Sequence, residues 1–242
     1  GAAIGGILVD RLGFEMTFLL SGVLSGVSGL YVYRFLTNDK EEASKPKILK
    51  LDQILQLLKN RQFAAIIFLS AIPAKIALAG FLFYSIPTYL KTMGYNQSLI
   101  GRVMMFYGLS IIIFGPQLAR LADASKDRLA FVAGGGALAA LSMSIPFFFD
   151  GLLGAGLAVL GLGIAHAICV ASQTTLIHDR CKEAVLDVGP SATIGVFRLL
   201  ERVGSVIGPV LLGIMISASD FQYAFFLIGN IAVVTTLLLT IL

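Results

Sequence analysis

Charge is what this chain most lacks. Only 13% of its 242 residues are Asp, Glu, Lys or Arg, where a soluble domain carries about 25%. A chain with so little polar surface cannot face water on every side, which excludes an ordinary soluble fold. Tryptophan is absent, and there are two cysteines and two histidines. Cys169 falls inside an apolar run and Cys181 between two runs, so they read as free thiols, not a disulfide framework. No nucleotide-binding P-loop, zinc-ligand spacing or dinucleotide glycine fingerprint occurs. No cofactor is therefore expected, and ATP-driven work by this chain alone has no support. The alternating ten-residue strands of an outer-membrane barrel are missing too.

What is present is apolar and comes in long blocks. Hydrophobic residues make up 57% of the chain, with a mean hydropathy of +0.89. A helix needs roughly 20 apolar residues to cross a bilayer. Residues 14–36 meet that length, as do the stretches at about 63–90, 97–121, 129–149, 152–177, 191–217 and 221–242. Asp150-Gly151 leaves almost nothing between two of them, which predicts a tight antiparallel hairpin. Thr37 to Arg61 is polar. Within it, Leu51, Ile54, Leu55 and Leu58 recur at helical spacing, predicting a short helix at the membrane interface.

The net charge of +4 and pI near 9.1 suggest nucleic acid until the cations are placed. They lie in the connections between spans. With the 37–61 connection on the cytoplasmic side, that side collects twelve Lys or Arg, and the other has Arg11, Lys91 and Arg102. This bias is the positive-inside pattern. It implies no nucleic-acid partner, a lipid bilayer instead, and a cytoplasmic C-terminus.

An internal repeat sets the organisation. Gly1, Ile4 and Gly5 match Gly204, Ile207 and Gly208; after a polar break, Phe14, Phe18 and Gly22 match Phe221, Phe225 and Gly229. Two halves of the same sense are a transporter architecture. If the copies are equivalent, Gly1 lies inside a helix, and a first half of similar length precedes it, in a protein of twelve spans and roughly 400 residues.

Several segments then resemble the major facilitator superfamily. SIPTYLKTMGYNQSLIGRVMMFYG (85–108) is similar to the exit of helix 7 and the entry to helix 8. GPQLARLADASKDR (115–128) resembles the second-half cytoplasmic loop motif, with Asp123, Lys126 and Arg128 keeping the charged frame. Ala119 and Ala124 depart from its usual Gly and Arg. RLLERVGSVIGPVLLG (198–213) resembles helix 11. The resemblance implies an all-α membrane protein holding the end of helix 5 and helices 6 to 12 of a twelve-helix fold. Residues 1–36 would belong to the first bundle, 37–61 to the inter-bundle loop and 62–242 to a six-helix second bundle. It implies a secondary transporter of a small solute in the cell membrane, not an enzyme, completed by the first bundle of the same chain. The rival reading is a transporter-like sensor module of a larger signalling protein.

A charge at the bilayer centre costs at least about 2.5–3.5 kcal/mol, so each one needs a reason. Lys75 lies mid-span two residues after Pro73. It is a candidate contact for an anionic solute or a coupling group; the alternative is that it pairs with a carboxylate of the first bundle or snorkels to the interface. Pro73 and Pro87 should bend or break their helix. His166 is a candidate proton carrier or a packing residue, and Gln173 shares its face. Arg198, Glu201 and Arg202 stand at i, i+3 and i+4, so one face can hold an Arg–Glu pair with a positive charge to spare. The resemblance implies that they latch the two bundles, with Asp123 and Arg128 in the symmetry-related place. Ser28 in Gly-Val-Ser-Gly (26–29) has no other part of an intramembrane serine protease pattern around it.

Overall fold

Apolar runs of this length have one way to satisfy their backbone in lipid, by closing every hydrogen bond within a helix. The computed structural model describes residues 2–35, 51–125 and 127–241, and these are helical almost throughout. In order they form α1 (Ala2–Phe35), α2 (Leu51–Lys59), α3 (Arg61–Thr92), α4 (Gln97–Ala124), α5 (Arg128–Phe148), α6 (Gly151–Arg180), α7 (Lys182–Val188), α8 (Pro190–Ala218) and α9 (Phe221–Ile241). Among the described residues, six helices are long and apolar enough to cross a membrane: α3, α4, α5, α6, α8 and α9. Their bounds fall within a few residues of the runs read from sequence. Most of the 37–61 connection, from 37 to 50, lies outside the described residues.

The break expected between the end of one helix and the 14–36 run is a single residue. Gly13 (φ 79°, ψ 169°) interrupts α1 with a conformation that only glycine adopts without strain. The Asp150 hairpin is also present: Gly151 has φ +70° and its amide donates to the Tyr89 hydroxyl at 3.0 Å.

Three sequence expectations need correction. Pro73 and Pro87 do not break α3. Each is preceded by a π-helical stretch, Ile67–Ala71 and Ala77–Ser85. There the Ile72 amide reaches back five residues to the Ile67 carbonyl, and Ile86 to Phe81. Widening the helix accommodates a proline ring that would otherwise clash with a carbonyl four residues earlier. The short helix at 51–59 forms, but its inward face differs. Leu57 is fully buried and Leu55 half exposed, because α2 docks on α7 and α3. The side chain of Leu51 lies outside the described residues. The connection after α6 is not the plain loop its polarity suggests, since α7 forms within it; Val185 and Val188 anchor that turn in the same cluster as Leu57.

The helices pack in pairs. α5 lies against α6 and α9, α4 against α6, and α3 against α8. Two apolar clusters result. One gathers Phe81, Leu90, Val103, Met143, Leu162 and Phe225 towards the end of the bundle that holds the α5–α6 hairpin. The other gathers Phe63, Ile67, Leu176, Ile177, Val196 and Phe197 towards the opposite end. Large apolar side chains such as Ile112, Phe148, Ile214 and Leu237 remain exposed, as a lipid-facing surface requires.

Between the clusters α3 and α8 touch backbone to backbone. A Cβ on Gly204 would stand 2.5 Å from the Ile72 carbonyl oxygen, and one on Gly80 would stand 2.6 Å from that of Gly208. Apolarity drives no helix association in lipid, so such small-residue faces do it by close contact. Gly204→Ala should therefore force the helices apart and cost about 1–3 kcal/mol, read as a lower melting temperature in detergent. Gly134→Ala, which meets nothing within 4 Å, should leave it unchanged or slightly raised. Equal melting temperatures for the two variants would refute the contact.

Candidate functional site

The level between the two clusters carries the polar groups. α3 contributes Ser70 and Lys75, α4 Tyr107, α6 His166 and Gln173, and α8 Arg198 and Glu201. On α8, Glu201, Gly204, Gly208 and Leu212 are all buried. They form one face turned to α3, and that face brings the carboxylate to Lys75. Lys75 Nζ lies 3.6 Å from Glu201 Oε1, and Arg198 donates to the same oxygen at 3.1 Å. Lys75 thus finds its carboxylate inside the second half of the chain. The Arg198–Glu201 pair expected from spacing forms, and a second cation joins it. Arg202 is exposed.

His166 meets Tyr107 ring to ring, with centroids 5.9 Å apart. Gln173 is buried and donates to the Ser70 hydroxyl at 2.9 Å. That bond ties α6 to α3 and satisfies both groups, so Gln173 is engaged in packing as it stands. His166 also borders a cavity of about 40 Å³ with Pro73, Ala74, Cys169 and Thr236. Ligand pockets run to about 300–1,000 Å³, so this space holds water-sized guests and no solute. Among the described residues no group of three His, Cys, Asp or Glu side chains could hold a metal ion.

Towards the other end of α5 and α6, Arg128 Nε pairs with Asp179 Oδ2 at 3.0 Å, clasping the start of one helix to the end of the other. The side chain of Asp123 and all of Lys126 lie outside the described residues. Beside this clasp, Cys181 is buried between α6 and α7, and burial pushes its thiol up to about 11.

Two participants carry little sign in the sequence. Tyr107 is the aromatic residue that α4 packs against His166, and an ionisable ring within an apolar run was its one signal. Asp10 accepts from the Gln97 amide at 3.1 Å and the Ser98 amide at 2.6 Å. It caps α4 from α1, while the Gly6 backbone lies against Gln97. Asx residues capping helix starts are ordinary, but a cap supplied from 87 residues away leaves no local pattern.

Six membrane-length helices around an internal charged cluster define a multi-pass α-helical membrane protein. Residues 1–189 match the Major Facilitator Superfamily, and the chain belongs to that family. It is also 23% identical over 226 residues to Multidrug resistance protein MdtG of Salmonella arizonae, a match covering 90% of this chain and 54% of that protein. The chain thus spans about half the length of that curated relative.

The thiolate is the form of cysteine that reacts, so a thiol held near 11 stays neutral and unreactive at physiological pH. In a Cys169→Ser background, maleimide labelling of Cys181 should be slow at neutral pH and accelerate as pH rises towards that value. Rapid labelling of the folded protein at neutral pH would contradict the burial of this residue.

Proposed function

We propose that the chain is part of a secondary active transporter that carries a small solute across the inner or plasma membrane by alternating access. The observation that carries this reading is the Lys75–Glu201–Arg198 cluster, set within two membrane-length helices of a family of membrane transporters. Residues 1–36 would belong to the first bundle and 62–242 to the second, with the C-terminus in the cytoplasm and the solute site between the bundles. A cation surplus at that depth suits an anionic solute, and titratable His166 and Glu201 suit proton coupling. Arg202 and Arg198, the latter held by the buried Glu201, would also face the first bundle, and Asp123 and Arg128 its symmetry-related surface, as groups that hold one orientation of the bundles.

In this picture Glu201 does two jobs. It neutralises Lys75 where α3 and α8 touch, and it keeps Arg198 oriented along α8. The π-helical stretches flanking Pro73 keep α3 continuous through that point. The name of the similar protein refers to multidrug resistance, which is compatible with export but does not define the solute.

The test is flux. Vesicles containing the full-length protein should accumulate or release solute when a proton gradient is imposed, and a protonophore should abolish the movement. Lys75→Gln should lower the rate at least about tenfold, as the loss of a charged contact worth about 1.5–3 kcal/mol implies. Solute binding with no flux under any gradient would favour a sensor and refute transport.

A further inference from the structure

At the end of the bundle away from the α5–α6 hairpin, four helix ends meet around an open cleft of about 420 Å³. α3 and α5 begin there, and α6 and α9 end there. This cleft is far larger than the space beside His166 and falls within the range of ligand pockets, about 300–1,000 Å³. Its lining divides by chemistry. Arg61, Gln62 and Arg180 are exposed and form its mouth, while Ile66 and Leu239 are buried and Leu129 half-buried behind them. One turn further in, α9 closes on α3 at Ile67–Ala71, which sets the floor.

The mouth carries unbalanced positive charge. Arg61 is the first residue of α3 and Arg180 the last of α6, so both stand where a span leaves the membrane. The acidic neighbours are already engaged. Asp179 pairs with Arg128, and Asp127 caps α5 by accepting from the Ala130 amide at 3.1 Å. Asn60 caps α3 through the Gln62 and Phe63 amides, so the Gln62 side chain has no part in that cap. Among the described residues, Arg61 and Arg180 have no carboxylate partner.

The guanidinium is a planar fork that binds phosphate oxygens two at a time. Two of them at one mouth select a phosphate group. A phosphate in free solution gains nothing from an apolar wall, but the phosphate of a lipid brings acyl chains to cover it. The cleft is also continuous with the lipid-facing surface through Ile241, which lines it and is 80% exposed. Basic pockets between spans at the membrane surface hold anionic lipid headgroups in this way. A choline headgroup sets a fixed cation beside its phosphate, which two arginines repel; a glycerol headgroup does not.

We propose that Arg61 and Arg180 bind the phosphate of one anionic phospholipid, with an acyl chain against Ile66, Leu129 and Leu239. The bound lipid ties the start of α3 to the ends of α6 and α9. This binding requires the chain to sit in a membrane and requires nothing of the transport reading.

The experiment is native mass spectrometry of the delipidated full-length protein in detergent. It is titrated with dioleoylphosphatidylglycerol and, separately, with dioleoylphosphatidylcholine. The first phosphatidylglycerol should bind at least about fivefold more tightly than phosphatidylcholine, the factor that one surface cation confers. Arg61→Gln and Arg180→Gln should each weaken it about fivefold and together about twenty-fivefold. Lys91→Gln, an exposed cation at the other end of α3, should have no effect. Ala65→Phe, which fills the cleft and keeps both charges, should weaken binding as well. A large excess of glycerol phosphate should leave the lipid in place. Four results overturn the proposal: equal affinity for the two lipids, unchanged phosphatidylglycerol affinity in the double arginine variant, unchanged affinity in Ala65→Phe, or displacement by glycerol phosphate. The last would mark a site for a soluble phosphate instead.

Discussion

The structure turns on one buried carboxylate oxygen. Glu201 Oε1 receives Lys75 from one helix and Arg198 from its own, at a depth where each uncompensated charge costs at least about 2.5–3.5 kcal/mol. The carboxylate has most to lose from standing unpaired, since its side chain is 4% exposed against 19% for Lys75 and 49% for Arg198. Pairing is therefore a condition of the fold before it is a feature of function. Removing the carboxylate alone strands two cations, which is worse than removing a complete pair.

That pairing depends on how close α3 and α8 come. Gly204 admits the Ile72 carbonyl and the Lys75 Cβ, so the lysine leaves α3 already beside the carboxylate. Proline and the π-helical stretches shape the other partner. Pro73 removes an amide, the wider turn before it absorbs the ring, and Lys75 follows two residues later on a segment set apart from regular helix at both ends. Helices of this kind bend where their hydrogen-bond register changes. The same segment carries the contact that has to yield if α3 and α8 ever separate.

Much of the fold was legible in the sequence, and for a physical reason. In lipid the length of an apolar run and the charge of its flanks fix span and side almost without regard to tertiary contacts, so α4, α5, α6, α8 and α9 fall where their runs do. Short segments at the bundle's end are less legible. Lys182–Val188 has only Val185 and Val188 to bury, too few for a periodic signal, and in α2 two overlapping faces are equally apolar until docking on α7 chooses Leu57. At the site, the i, i+3 spacing of Arg198 and Glu201 points to their pair directly. Lys75 was visible as an anomaly but its partner was not, because 126 residues of chain separate Lys75 from Glu201 and only the α3–α8 contact brings them together. Gln173 could be assigned to a face but not to Ser70, and Asp10 carries no mark of the helix it caps.

The central claim is that Lys75 and Glu201 stabilise the bundle as a pair. It is tested most directly by a double-mutant cycle on thermal stability in detergent, using Lys75→Met, Glu201→Met and the two combined. Each single change should lower the melting temperature, and the double variant should lose clearly less than the sum, with a coupling of about 1–3 kcal/mol. Strictly additive losses would show that the two residues do not act together, and that α3 and α8 are held by their glycine contacts without help from this ion pair.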